Sequence, residues 1–406
     1  MNENTAAGVI SSQFMKSYMN GQNEVKNADR DVKEMLSLEK GRLKNFGLDL
    51  KKEYTERGLM ASGSDVRIKH SRHYVHTTNV KTTSAETTVS RDGKKLYGKK
   101  ENESFYTYVT DSLNYTEDGT TPYCCPNCGA VSTVNELQEG CSYCGTRFRI
   151  SELFPKVSYY FSQYDPSATE GELKKDILKN MLIVFGIELV LLLFILFNGG
   201  NIIEFIFQLF LAVVIAVLLG YSIWAFKKLG KLFFEAGRSV TMLPMLKSMN
   251  EFKKKMKEID PDFDMDYFVF KTVSYVRMIM FSDDNTLLPF FKGKKVDRYT
   301  DVLDAAFRGG IKFRKYEIKD GVLKLDMDLF MSCLHYVNGK VIKRDDTVLL
   351  KMEKDLSIPT DYDFSISQFK CKNCGGSYNG YKETKCPYCG SEIEVSAYDW
   401  TITDID

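Results

Sequence analysis

Residues 181–226 read MLIVFGIELVLLLFILFNGGNIIEFIFQLFLAVVIAVLLGYSIWAF. Two apolar runs, 181–197 and 202–226, flank the short uncharged segment Asn198–Gly199–Gly200–Asn201. Crossing roughly 30 Å of hydrocarbon takes about 20 helical residues, so the first run is just long enough and the second is ample. Nearly every face of both runs is apolar, which argues against a buried soluble hairpin. The four-residue connection leaves room only for a tight turn. Lys174, Lys175 and Lys179 precede the first run, and Lys227, Lys228 and Lys231 follow the second. The positive-inside rule then places both ends in the cytoplasm and the turn outside. A two-pass protein of the cell membrane with cytoplasmic termini is expected. Glu188 falls near the middle of the first helix, where a charge is costly. Folding at Gly199–Gly200 brings Gln208 within about one turn of it, so a Glu188–Gln208 hydrogen bond is expected; a proton or ion role is the alternative.

Outside this hairpin the composition is ordinary. Lys+Arg is 55 against 54 Asp+Glu, so no whole-chain basic field draws the protein to nucleic acid. The start, MNENTAAGVISSQFMKSYMNG, lacks a basic segment followed by an apolar core, and no cleavable signal peptide is expected.

Of the 10 cysteines, eight form four Cys-x-x-Cys-Gly units. Cys125, Cys128, Cys141 and Cys144 make one set; Cys371, Cys374, Cys386 and Cys389 make the other. Each Cys-x-x-Cys aims two sulfurs at one point, and the following glycine permits positive φ. Two such knuckles complete a four-thiolate site, for which zinc is favoured over iron. Free thiolates also imply a reducing compartment, in agreement with the lysine pattern. A closed four-sulfur shell has no open position, so two structural zinc ions are expected rather than catalytic ones. Nucleic-acid reading is disfavoured because neither ribbon is notably basic. The first carries Glu136 and Glu139 between its pairs and Arg147 and Arg149 after them; the second sets Lys372, Lys382 and Lys385 against Glu383. Cys124 neighbours a ligand and could compete for the metal, whereas Cys333 alternates with apolar residues and reads as core.

The two halves read alike: helices, strands, a cysteine unit, then an aromatic strand. Ala6–Tyr18 and Val25–Gly58 look helical, and Asp65–Thr110 reads as strands turning at Asp92–Gly93. In the second half Ser248–Glu258 and Asp264–Ser282 look helical, with Asp264 as N-cap. Asp320–Gly321 and Asn338–Gly339 mark hairpin turns. Between them Leu323, Leu325, Met327 and Leu329 share one face, with Lys324, Asp326 and Asp328 on the solvent side. The closing strands carry Val157, Tyr159 and Phe161, and Tyr398, Trp400 and Ile402. This order raises a duplication as one reading.

With DPDFDMDYFVFKTVSYVRMIM, the long strands, CKNCGG and CPYCGSEIEVSAYDWTITDI, the stretch Asp260–Ile405 resembles a bacterial branch of the Tim-forty-four-like family. The resemblance implies a cone-like α+β domain of the nuclear-transport-factor-two-like type. Helices would pack on a curved antiparallel sheet around a large pocket, apposed to a membrane. Independently, Lys247, Lys253, Lys254, Lys255 and Lys257 share a helix with Met249, Phe252 and Met256 on another face. Beside a bilayer such a helix attracts anionic lipid; packed on its own domain it is a solvated surface.

His70, His73 and His76 do not share one strand face and read as surface residues. The acids Asp399, Asp404 and Asp406 read as an exposed tail. No Ser/His/Asp arrangement, phosphate loop or HExxH is present, and no catalytic residue is assigned. The expected organisation is α+β: two cytoplasmic halves, each with helices, an antiparallel sheet of its own and a four-cysteine zinc ribbon, joined by the transmembrane hairpin. Residues 1–172 hold helices, strands and the first ribbon (123–148), and 173–227 the hairpin. Residues 228–259 form a basic helical segment, and 260–406 the cone domain with the second ribbon (371–390). The expected function is a membrane-anchored scaffold or binding protein for lipid or protein partners. An enzyme or small-ligand carrier using the cone pocket is the alternative, and a nucleic-acid binder the third.

Overall fold

The computed structural model describes residues 6–19, 25–56, 67–70, 74–112, 120, 122–125, 128–137, 140–145, 155–164, 170–198, 201–358, 366, 369–393, 395–397 and 399–406. Expectations placed on His73, Glu139, Arg147, Arg149, Gly199, Gly200 and Tyr398 lie outside them. So do those on the side chains of His70, Cys124, Lys174, Lys227, Lys228 and Lys231.

Local chemistry sets the first elements. Helix α1 spans Ala6–Met19. Helix α2, Arg30–Phe46, opens at Asp29, whose side chain accepts from the Asp31 N–H. It closes at Gly47, where φ of 60° turns the backbone left-handed and the N–H returns to the Leu43 and Lys44 carbonyls. The expectation of helix through Gly58 is corrected by this cap. Strand β1, Asp49–Glu56, starts directly after it, with Lys52 and Tyr54 half-buried while Lys51, Glu53 and Thr55 are exposed. Strands β2 (Arg67–His70), β3 (Tyr74–Arg91) and β4 (Lys94–Ser112) follow. Asp92 and Gly93 both have positive φ, the type I′ geometry that matches strand twist. The first ribbon holds β5 (Pro122–Cys124), β6 (Val131–Thr133) and the single turn α3 (Val134–Leu137), and β7 (Lys156–Tyr164) follows it.

Residues Pro166–Pro244 form a separate compact unit. It contains α4 (Glu170–Phe197) and most of α5 (Ile202–Ile259). The two helices touch along a narrow seam that buries Leu192, Ala212 and Ala216. A Cβ on Gly220 would lie 2.8 Å from the Met181 Cα, so only glycine permits this approach. That register sets Glu188 level with position 213, about 7.5 Å along the axis from Gln208. Gln208 is exposed, and one buried Glu188 carboxylate oxygen has no hydrogen-bond partner among the described residues. The expected Glu188–Gln208 bond is therefore not formed. Where the sequence divided two helices, α5 runs unbroken through Pro244 to Ile259.

The second half repeats the element order of the first. Helix α6, Met265–Phe281, is capped by Asp264, whose side chain accepts from the N–H groups of Asp266 and Tyr267. It is buried on nearly every face. Strands β8 (Val302–Lys319), β9 (Val322–Val337) and β10 (Lys340–Asp355) are joined by type I′ turns at Asp320–Gly321 and Asn338–Gly339. The second ribbon carries β11 (Phe369–Lys370) and β12 (Ser377–Tyr378), and β13 (Thr401–Ile405) closes the chain.

Separate sheets were expected in the two halves; instead they share one. The nine-stranded sheet runs β1-β3-β4-β7-β8-β9-β10-β13, with β2 added beside β3. All its pairings are antiparallel except β7 with β8, where Gln163 meets Phe307. Residues Met1–Asp165 and Met245–Asp406 accordingly form a single compact unit, and one core draws on both. Ion pairs and hydrogen bonds cross between the halves. Arg277 binds Glu39 and the Tyr160 hydroxyl, Lys52 lies 2.8 Å from Asp304, and Arg42 donates to the Tyr299 and Thr300 carbonyls at 2.8 Å. The sequence reading missed this union because each half looked complete by itself.

Gly309 and Gly310 sit in a bulge of β8 at the junction. A Cβ on Gly309 would lie 2.4 Å from the Gln163 amide nitrogen, and one on Gly310 would lie 2.2 Å from the Met245 sulfur. The chain thus leaves this unit and re-enters it beside the same glycine pair. Just past Met245, α5 buries Phe252 and Met256, and the Phe252 ring stacks on Phe313 at 4.0 Å. Its apolar face is used within the domain. Lys253, Lys254, Lys255 and Lys257 remain exposed.

Candidate metal centres

The four knuckles are one structure repeated. Gly129, Gly145, Gly375 and Gly390 have φ between 70° and 75°. Each glycine N–H donates to the carbonyl of the first cysteine of its pair, at 2.8–2.9 Å. In three of them that cysteine N–H donates forward, Cys125 to Ala130, Cys371 to Gly376 and Cys386 to Ser391. The turn presents both sulfurs of a pair to one side.

Pairs of knuckles then converge. Cys125 lies 3.6 Å from Cys144, and Cys128 lies 3.7 Å from Cys141, measured between sulfurs. In the second set Cys371–Cys389 is 3.8 Å and Cys374–Cys386 is 3.5 Å. A tetrahedron with metal–sulfur bonds of about 2.3 Å has edges of about 3.8 Å. The eight sequence-predicted cysteines are therefore gathered into two four-sulfur groups of metal-holding size, all sulfurs of each within 4.8 Å of one another. Cys–Cys bonding does not account for them, since the eight are free thiols.

Their surroundings differ. The first group rests on a small core of its own, Cys125, Leu137 and Cys141. Thr133 and Glu136 form a capping box that orients α3: Glu136 accepts from the Thr133 N–H at 2.8 Å, and the Glu136 N–H donates to the Thr133 hydroxyl at 3.3 Å. Glu136 is thus a cap rather than a ligand. The second group belongs to the main core through Phe369, Cys371, Tyr378 and Cys386. The Ser391 hydroxyl lies 3.2 Å from the Cys371 sulfur and 3.1 Å from that of Cys389, and the Asn373 amide donates to Cys389 at 3.6 Å. Ser391, first through its hydroxyl and then its N–H, pulls the Cys389 thiol down to about 6, with Asn373 assisting. Thiolate character at neutral pH is what a metal ligand needs.

Other sequence candidates fall elsewhere. Asp328 is buried rather than solvent-facing, with the Arg314 Nε 2.6 Å from its carboxylate. Asp399 is not part of an exposed tail: it is buried and paired with Lys271, itself hydrogen-bonded to the Tyr267 hydroxyl at 2.7 Å. Asp404 and Asp406 are exposed, as expected. His76 is buried against Tyr108 instead of lying on the surface. A cleft of about 500 Å³ near the β8–β9 turn is lined mainly by charged groups, among them Lys292, Lys319, Lys324, Glu353 and Asp355.

Cys333 is buried as expected, but a polar cluster surrounds it that the sequence reading did not assemble. Its sulfur, a His335 ring nitrogen and an Asp346 carboxylate oxygen lie within 4.8 Å of one another. Burial, reinforced by Asp346, pushes the Cys333 thiol well up. The signal was present: the Asn338–Gly339 turn fixes the register that pairs Cys333 with Arg344, which sets Asp346 on the same face two residues on.

The hairpin helices Ile177–Phe197 and Ile202–Phe226 are long and apolar enough to cross a membrane, and few of their residues are buried within the protein. No family model matches the chain, and no curated protein or solved structure matches it.

Proposed function

We propose that this chain is a membrane-anchored scaffold or binding protein. In this reading a two-helix hairpin is inserted into one α+β domain, and two zinc ions clasp that domain's ribbons. One observation carries it: the segments before and after the hairpin share a single sheet joined at Gln163 and Phe307. A domain folded from both segments requires both ends of the hairpin on the same side of a bilayer. The flanking lysines favour the cytoplasmic side. Zinc is the metal that suits four thiolates in closed tetrahedra without an open coordination position. Lys253, Lys254, Lys255 and Lys257 are exposed and basic, which supports anionic lipid as a partner. The membrane-apposed role implied by the Tim-forty-four-like resemblance is consistent with this arrangement.

The test is topological. Tags at the two termini are probed with protease in intact spheroplasts and in inverted vesicles, after a high-salt wash. Both tags should be protected in the former and cleaved in the latter, with the protein retained in the membrane. Tags accessible on opposite sides, or release of the protein without detergent, overturns the reading.

A further inference from the structure

Beyond the two ribbons, the domain holds a second kind of metal-ligating cluster. Cys333 and His335 stand two apart on β9 and share its inner face, and both are almost fully buried. Asp346 reaches them from β10, with one carboxylate oxygen 2.7 Å from His335 Nε2. Asp301 stands on the other side of the ring, 3.0 Å from Nδ1. Histidines that bind metal through one nitrogen characteristically donate the other N–H to a carboxylate.

A second observation points into the same place. Tyr299 is 2% exposed, and its hydroxyl makes no hydrogen bond among the described residues. Tyr299 precedes Asp301 by two residues, and Val302 just beyond pairs with His335 across β8 and β9. A buried polar group without a partner is costly, and a metal-bound water beside it would supply the missing bond.

We propose that Cys333, His335 and Asp346 form a third divalent-metal site, held by three protein ligands with the fourth position left to water. Thiolate, imidazole and carboxylate together suit zinc. Unlike the ribbons, this site is open to a non-protein ligand. Binding through Nε2 leaves the one histidine proton on Nδ1, whose N–H donates to Asp301, and releases the Cys333 proton to solvent. Arg344, half-exposed and 2.8 Å from Nδ1, then turns to Asp301, already 3.7 Å away.

The test is metal stoichiometry on the untagged, full-length protein in detergent, saturated with zinc and desalted. Three zinc ions per chain are expected, falling to two in His335→Gln and in Asp346→Asn. With cobalt in place of zinc, the spectrum should contain a component from a site with one thiolate, absent from both variants. Two zinc ions per folded wild-type chain overturns the proposal, as does a third ion that persists in both variants. If neither variant folds, the wild-type count and its cobalt spectrum decide the matter alone.

Discussion

Excising the hairpin is the most direct test of the shared sheet. Residues 166–244 would be removed and Asp165 joined to Met245 through a Gly/Ser linker. The structure sets the length needed. Gln163 contacts Gly309 and Met245 contacts Gly310, and these neighbours are about 3.8 Å apart at Cα. Allowing for both side chains, the gap from Gln163 to Met245 is at most roughly 20 Å. Eight linker residues reach about 26–29 Å when extended. The length-dependent part of closing such a loop is about 1.8 kcal/mol, roughly 2 kcal/mol less than for a flexible loop of about eighty residues. Closure entropy therefore does not oppose the excision, and the core loses none of its members from either half. The excised chain should be monodisperse without detergent, keep both ribbon metals and unfold in one cooperative transition by far-UV circular dichroism and by tryptophan fluorescence. Two separated transitions, or a chain needing detergent despite longer linkers, would refute the one-domain reading.

Other perturbations probe single contacts. Lys271→Met strands the buried Asp399 carboxylate and should cost about 3–5 kcal/mol in denaturant unfolding, while adding Asp399→Asn should restore most of it. An unchanged midpoint in the single variant would show the pair to be dispensable. Ser391→Ala removes a hydroxyl from beside the Cys371 and Cys389 sulfurs. Chelator competition should show the second ribbon's metal held about 10–100-fold more weakly, with the first ribbon unaffected. Burial raises the Glu103 carboxyl, against the opposing pull of Lys52, and its Oε2 has no hydrogen-bond partner among the described residues. Because the folded pKa is raised, its contribution is complete below the ordinary glutamate range near 4.3 and is lost as pH rises through the folded value. Glu103→Gln should therefore be more stable than wild type at pH 7–8, with the gap closing toward pH 4; a gap independent of pH counts against this. Gly309→Ala combines a left-handed backbone, φ 81°, with overlap on Gln163. It should lower stability by about 1–2 kcal/mol from the backbone alone, and a neutral result would show that the bulge relaxes.

What could be read directly from the chain was local. Asp92–Gly93, Asp320–Gly321 and Asn338–Gly339 each specify a two-residue turn, because aspartate and asparagine tolerate positive φ and glycine, lacking a Cβ, adopts it freely. Cys-x-x-Cys-Gly closes its knuckle within six residues, so the four-sulfur groups follow from spacing alone. The hairpin is legible because apolarity on all faces needs no partner to be recognised. Nothing local announces that β7 pairs with β8, that Asp399 reaches Lys271, or that the apolar stripe of α5 covers Phe313 rather than lipid. Those choices join residues more than a hundred positions apart in the first two cases. They depend on which burial satisfies most surface and charge at once, and only the folded sheet with its helices decides that.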